Sequence, residues 1–192
     1  MSKINLTSII LTAQKELIEK PFDLAHDISH HYRVYEYCLK IIRAEDLNVN
    51  YDVLTICSWW HDLEDRKGEK VLKLTTTLKR YECKKDFIKK IIKVIREHSF
   101  CKKPTTLEGK ILFDADKLEY VNPFRLAWFK QAVKDGFIKK RKYFEYLRQW
   151  QERIKKLGKL LNFSYSQKKF IEMLPEAKKI MTHTIGMNVL HP

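Results

Sequence analysis

Apolar residues recur along this chain at three- and four-residue steps. Val34, Tyr37, Cys38, Ile41 and Ile42 form one such stripe, and Phe87, Ile88, Ile91, Ile92 and Ile95 form another. Alternation at period two is nowhere sustained. The pattern predicts helices over about 3–20, 23–46, 50–65, 69–82, 84–99, 107–120, 122–134, 139–161 and 166–183. Proline punctuates them: Pro21 opens one helix, Pro104 breaks the chain after a basic loop, and Pro123 follows Asn122 at another helix start. Five glycines and five prolines in 192 residues are too few turn formers for a β-sandwich or barrel. The expected fold class is all-α, and the length suits a single domain with no internal repeat.

Charge changes the picture of partners rather than of fold. Lys and Arg number 38 against 24 Asp and Glu, a formal net charge of +14 that favours polyanions. Fifteen basic residues fall between Trp128 and Lys179 against five acidic ones, with Phe137, Tyr143, Phe144, Tyr146 and Trp150 interleaved. That combination suits a nucleic-acid strand, or equally a solvated helix face with its aromatics turned inward. No apolar run approaches the roughly 18 residues of a membrane span. The N-terminal segment reads as an amphipathic helix without a cleavage site. Cys38, Cys57, Cys83 and Cys101 stand singly, without a C-x-x-C pair, as reduced thiols of a cytoplasmic protein would.

Candidate chemistry gathers in four helical patches. His26, Asp27, His30 and His31 lie in HDISHHYRV, and His61, Asp62, Glu64 and Asp65 in WWHDLED. His98 lies in REHS, and Asp114 and Asp116 in FDADKL. Imidazole and carboxylate together suit a divalent metal. His26 and His30 share a helix face, and His61 and Asp62 begin where the apolar run Val53–Trp60 stops, at the lip of a core. His26 and His31 also read as capping or solvated residues, Asp27 as a helix N-terminal acid or a partner orienting a ligand, and Asp114 as a supporting or surface carboxylate.

His30 with Arg33 and Val34 as H-x-x-R-V, the His61-Asp62 doublet, and Asp116 in DADKL resemble, in that order, the H…HD…D signature of the HD-domain metal-dependent phosphohydrolases. Spacings of 31 residues (His30 to His61) and 54 (Asp62 to Asp116) are similar to that family's. The resemblance covers about 20–130, and the remainder resembles the C-terminal helices of small bacterial nucleotide-cleaving members. It implies one helical domain over 1–192, with an HD metal-binding core at about 20–130 and basic helices at about 131–192 packing on it. Bulky residues after DADKL, Glu119 to Pro123, depart from the family and bear on substrate choice.

The resemblance implies that His30, His61, Asp62 and Asp116 bind one divalent ion, Mn²⁺, Mg²⁺, Fe²⁺ or Co²⁺, with Zn²⁺ and a second ion left open. Asp65, or Glu64 beside it, would serve water activation. Arg33, Lys117, Lys67 and His98 would face the phosphates, His98 alternatively a second ion. The expected activity is hydrolysis of a phosphoester or phosphoanhydride, with a nucleotide as substrate. Two other functions fit the residues: nucleic-acid binding or processing through the basic C-terminal helices, and a non-catalytic scaffold stabilised by metal. Nothing resembles a P-loop, a dinucleotide-binding glycine fingerprint or a serine-nucleophile elbow.

Overall fold

The structure, a computed structural model, describes residues 4–19, 26–64, 69–100 and 102–182. Helices account for every regular element among them, and no strand occurs. In chain order they are α1 (Leu6–Glu19), α2 (Ile28–Ala44), α3 (Tyr51–Trp60), α4 (Glu69–Arg80), α5 (Lys85–Glu97), α6 (Leu107–Tyr120), α7 (Pro123–Lys134), α8 (Lys140–Leu160) and α9 (Ser164–Thr182), with a 3-10 turn at Asp62–Glu64. The expected all-α architecture is observed. Pro21 and Cys101 lie outside the described residues, whereas Pro123 opens α7 with the Asn122 side chain accepting from Phe124 N. The chain divides into two compact units, Met1–Asp116 and Lys117–Pro192.

In the first unit α3 packs against α1, α2 and α5. That centrality explains its composition, because a helix covered on all sides has no polar face. Val53, Leu54, Ile56, Cys57, Ser58, Trp59 and Trp60 are all buried. Asn50 caps its start by accepting from Val53 N at 3.0 Å, and Trp60 Nε1 donates to Ile9 O at 3.4 Å. The sequence pattern carries this helix to about 65, but it ends at Trp60 and tightens into the 3-10 turn. From α2, Val34, Tyr37, Cys38, Ile41 and Ile42 enter the core as their spacing predicts; from α5, Ile88, Ile91, Val94 and Ile95 do so.

The second unit packs α7, α8 and α9 against one another. Trp150 Nε1 donates to Tyr120 O at 3.1 Å and Tyr143 Oη to Met181 O at 3.4 Å, so these aromatics are buried with their polar atoms satisfied. Phe137 and Phe144, by contrast, are exposed. Arg141, Arg148, Lys155 and Lys159 are exposed along α8 at steps of seven, seven and four, with Glu145 and Glu152 paired to Arg141 and Lys155.

Candidate metal centre

Asp27 starts the centre by terminating the chain's approach to α2. Its carboxylate accepts from His30 N at 2.9 Å and Ser29 Oγ at 2.7 Å, an N-cap that fixes the first turn and, with it, the direction of the His30 side chain. Asp27 thus acts as the helix N-terminal acid. The Arg33 guanidinium donates back to Ser29 Oγ at 3.1 Å.

The end of α3 supplies the opposite wall. A helix leaves its last carbonyls without intrahelical donors, and the Ser58 carbonyl is one of these. It accepts from two imidazoles, His61 Nδ1 at 2.9 Å and His31 Nδ1 at 3.0 Å. Each ring is thereby fixed, when neutral, in the tautomer whose Nε2 carries a lone pair. His98, the C-cap of α5, is held the same way by the Ile95 carbonyl.

These nitrogens converge on Asp62. Its Oδ2 lies 3.1 Å from His30 Nε2, 3.2 Å from His61 Nε2 and 4.0 Å from His31 Nε2, and its Oδ1 lies 3.9 Å from His98 Nε2. His30 and His61 Nε2 are themselves 3.2 Å apart. Asp116 Oδ1 approaches from α6, 3.8 Å from His30 Nε2. His30, His31 and His61 are fully buried, and Asp116 is nearly so.

Such a donor set fits a cation. With His61 Nδ1–H spent on Ser58, the atoms of His30, His61 and Asp62 that meet within 3.2 Å carry at most one proton among them when the imidazoles are neutral. The electrostatics agree. Burial works against a charged His61, yet the charge and hydrogen bond of Asp62, with the charge of Asp116, hold its pKa above the ordinary histidine value. Burial likewise opposes ionised Asp62, but His61, His26 and the imidazole hydrogen bonds keep its carboxyl well below the usual range. His31 behaves oppositely: burial and its neighbour His61 lower its pKa well below the ordinary value, so the ring stays neutral. His30, His61 and Asp62 each offer one atom to a group compact enough to hold a metal ion.

No family model matches the sequence, and no curated protein matches it. Solved structures do. A protein from Lactobacillus plantarum is 20% identical over 92% of either chain, with a TM-score of 0.72. An HD-superfamily hydrolase from Bacillus thuringiensis is 20% identical over 92% of either chain, with a TM-score of 0.67. YpgQ of Bacillus subtilis, solved in complex with ADP, is 19% identical over 91% of this chain and 89% of its own, with a TM-score of 0.66. The chain has the HD-domain fold.

Within that HD-domain fold the expected residues are placed unequally. The structure brings His30, His61, Asp62, Asp116 and His98 to one locus in the first unit. Arg33 lies one turn past Ser29 on α2. Lys117 follows Asp116 in α6 and is buried, and Asp114 is buried as well rather than at the surface. Asp65 and Lys67 lie outside the described residues, and Glu64 closes the 3-10 turn. His26 presents its ring edge-on to His30, with centroids 5.4 Å apart. His31 is the residue that sequence reasoning misjudged: it is neither a cap nor solvated but enclosed beside Asp62. The available signal was the doublet His30-His31 in the patch containing the H-x-x-R-V motif.

Proposed function

We propose that the protein is a metal-dependent phosphohydrolase that cleaves a phosphoester or phosphoanhydride bond of a nucleotide in the cytoplasm. The observation that carries this reading is the acceptor-rich cluster of His30, His61 and Asp62, which calls for a divalent ion at the edge of the core. The ADP bound by YpgQ, on the same fold, supports a nucleotide as the substrate class.

His30, His61 and Asp62 hold the ion, and Asp116 adds a second carboxylate from α6. When bound, a divalent ion there lowers the pKa of a water and polarises the phosphoryl group. Asp65, or Glu64, takes the proton of the attacking water as its oxygen bonds to phosphorus and the P–O bond to the leaving group breaks. Arg33, Lys117, Lys67 and His98 offset the charge that builds on the phosphate oxygens.

Metal analysis, combined with a hydrolysis screen of nucleoside tri-, di- and cyclic phosphates in Mn²⁺, Mg²⁺ and Co²⁺, tests the proposal. The expected result is turnover of at least one class that a chelator abolishes and metal restores. A protein that retains its metal and turns over none of them is a metal-stabilised scaffold, and the reading fails.

A further inference from the structure

In the second unit, Lys140, Phe144, Arg148, Gln151 and Lys155 of α8 are all exposed. At 3.6 residues per turn they fall within about 80° of one another, a stripe about 22 Å long beside the buried side of the helix. Lys140 and Arg148 make no ion pair among the described residues. Lys155 pairs with Glu152 at 2.6 Å, but both side chains are exposed, and such a pair yields readily to a competing anion. Between the cations stands Phe144, 38% exposed, its ring braced by the buried Tyr143 at a centroid distance of 5.7 Å.

Gln151 and Lys155 also line a cavity of about 340 Å³ between α8 and α9. Trp150, Ile154 and Leu174 give it apolar walls, and Lys178 adds a second ammonium. Its volume is at the lower end of the range of small-ligand pockets. Gln151 brings an amide that both donates and accepts. A row of cations, a braced ring and an apolar recess with one amide match a chain that alternates phosphates with flat, hydrogen-bonding bases. An anionic membrane matches less well. A helix that lies in a lipid surface presents its apolar face to it, whereas α8 turns Tyr143, Trp150 and Leu157 inward.

We propose that this face of α8 binds a single-stranded polynucleotide, with phosphates along Lys140, Arg148 and Lys155, a base stacked on Phe144 and another in the cavity. The proposal does not depend on the metal centre, because binding rather than hydrolysis reads it out.

The test is fluorescence anisotropy of a labelled 20-nucleotide oligouridylate, titrated with the full chain at several salt concentrations. Lys140→Gln and Arg148→Gln are each expected to reduce the slope of log affinity against log salt by about 0.7, the value for one phosphate contact on a single strand. Phe144→Ala is expected to weaken binding about five- to a hundredfold and leave that slope unchanged. An abasic strand of the same length, which keeps the phosphates and loses the bases, should bind as weakly to the unaltered protein as the intact strand does to Phe144→Ala, or more weakly. Absence of binding at low salt overturns the proposal. So does an affinity that neither Phe144→Ala nor removal of the bases alters, since the stripe is then only a charged, solvated face. Sedimentation with phosphatidylserine vesicles that Phe144→Ala abolishes, without oligouridylate binding, assigns the face to a membrane and overturns it as well.

Discussion

In the proposed mechanism Asp62 and Asp65, three residues apart, have different jobs, which makes them the sharpest pair for mutation. Asp62→Ala removes the carboxylate on which four imidazoles converge, so metal retention and hydrolysis should be lost together in metal analysis and assay. Asp65→Asn removes only a base, so metal content should hold while kcat falls by a factor on the order of 10²–10⁴ and KM changes little. If Glu64→Gln collapses kcat instead, the neighbouring carboxylate is the base. The convergence of His30, His61, Asp62, Asp116 and His98 was legible because their order along the chain matches the motif they resemble. The enclosure of His31 was not, because it depends on which way α2 rolls against α3 and on a carbonyl oxygen 27 residues away. The doublet His30-His31 points to the patch but does not say that both rings are enclosed.

Between elements, the join of α5 to α6 decides how His98 and Asp116 face Asp62. The Glu97 carboxylate accepts from Thr105 Oγ1 at 2.6 Å, Thr106 Oγ1 at 2.6 Å and Thr106 N at 3.1 Å, and Thr106 Oγ1 accepts from Gly109 N at 3.1 Å at the start of α6. A Cβ at Gly109 would collide with that carboxylate, which is why this helix begins with a glycine in its first turn. Burial raises the Glu97 pKa, but the hydrogen bonds outweigh it and the net shift is downward. A carboxyl lowered in the folded state contributes stability above its unfolded pKa and loses it as pH falls through the folded value. Denaturant melts should therefore show a loss below about pH 4.5 that is shallower in Glu97→Gln. Helix positions were readable from apolar spacing alone, and most ends fell within a few residues. The end of α3 escaped that reading because His61 to Asp65 include no glycine or proline to stop a helix; the imidazoles of His31 and His61 take up the carbonyl there.

At the scale of the molecule, the basic stretch belongs to the second compact unit and the centre to the first, and a charge that attracts an anionic substrate only through its field loses its effect as salt screens it. Lys139, Lys140, Arg141 and Lys142 are exposed at the start of α8. Replacing all four with Gln should lower kcat/KM for an anionic nucleotide at low ionic strength and leave it nearly unchanged at high salt, where the Debye length shrinks to about 3 Å at 1 M. Loss of kcat that persists in high salt would instead put these side chains at the reacting phosphate. Composition announced the basic segment, and its aromatics divide between the two readings the sequence allowed: Tyr143 and Trp150 inside, Phe137 and Phe144 outside. Spacing could not sort them, since both sets interleave with lysine.

The oxygen that orients both His31 and His61 belongs to the main chain, and this has a consequence for how the protein tolerates genetic change. Any amino acid at position 58 brings that oxygen with it, so a scan of side chains passes over one of the centre's organising atoms. Ser58→Ala, which deletes only the hydroxyl bonded to Thr55 O at 2.9 Å, should leave metal affinity within about twofold and cost about 1 kcal/mol in a melt. One alanine inserted between Trp60 and His61 turns His61 by roughly 100° about the helix axis and should abolish metal uptake. The vulnerability of this centre therefore lies in chain length, in gains and losses of single codons, more than in the spelling of residue 58.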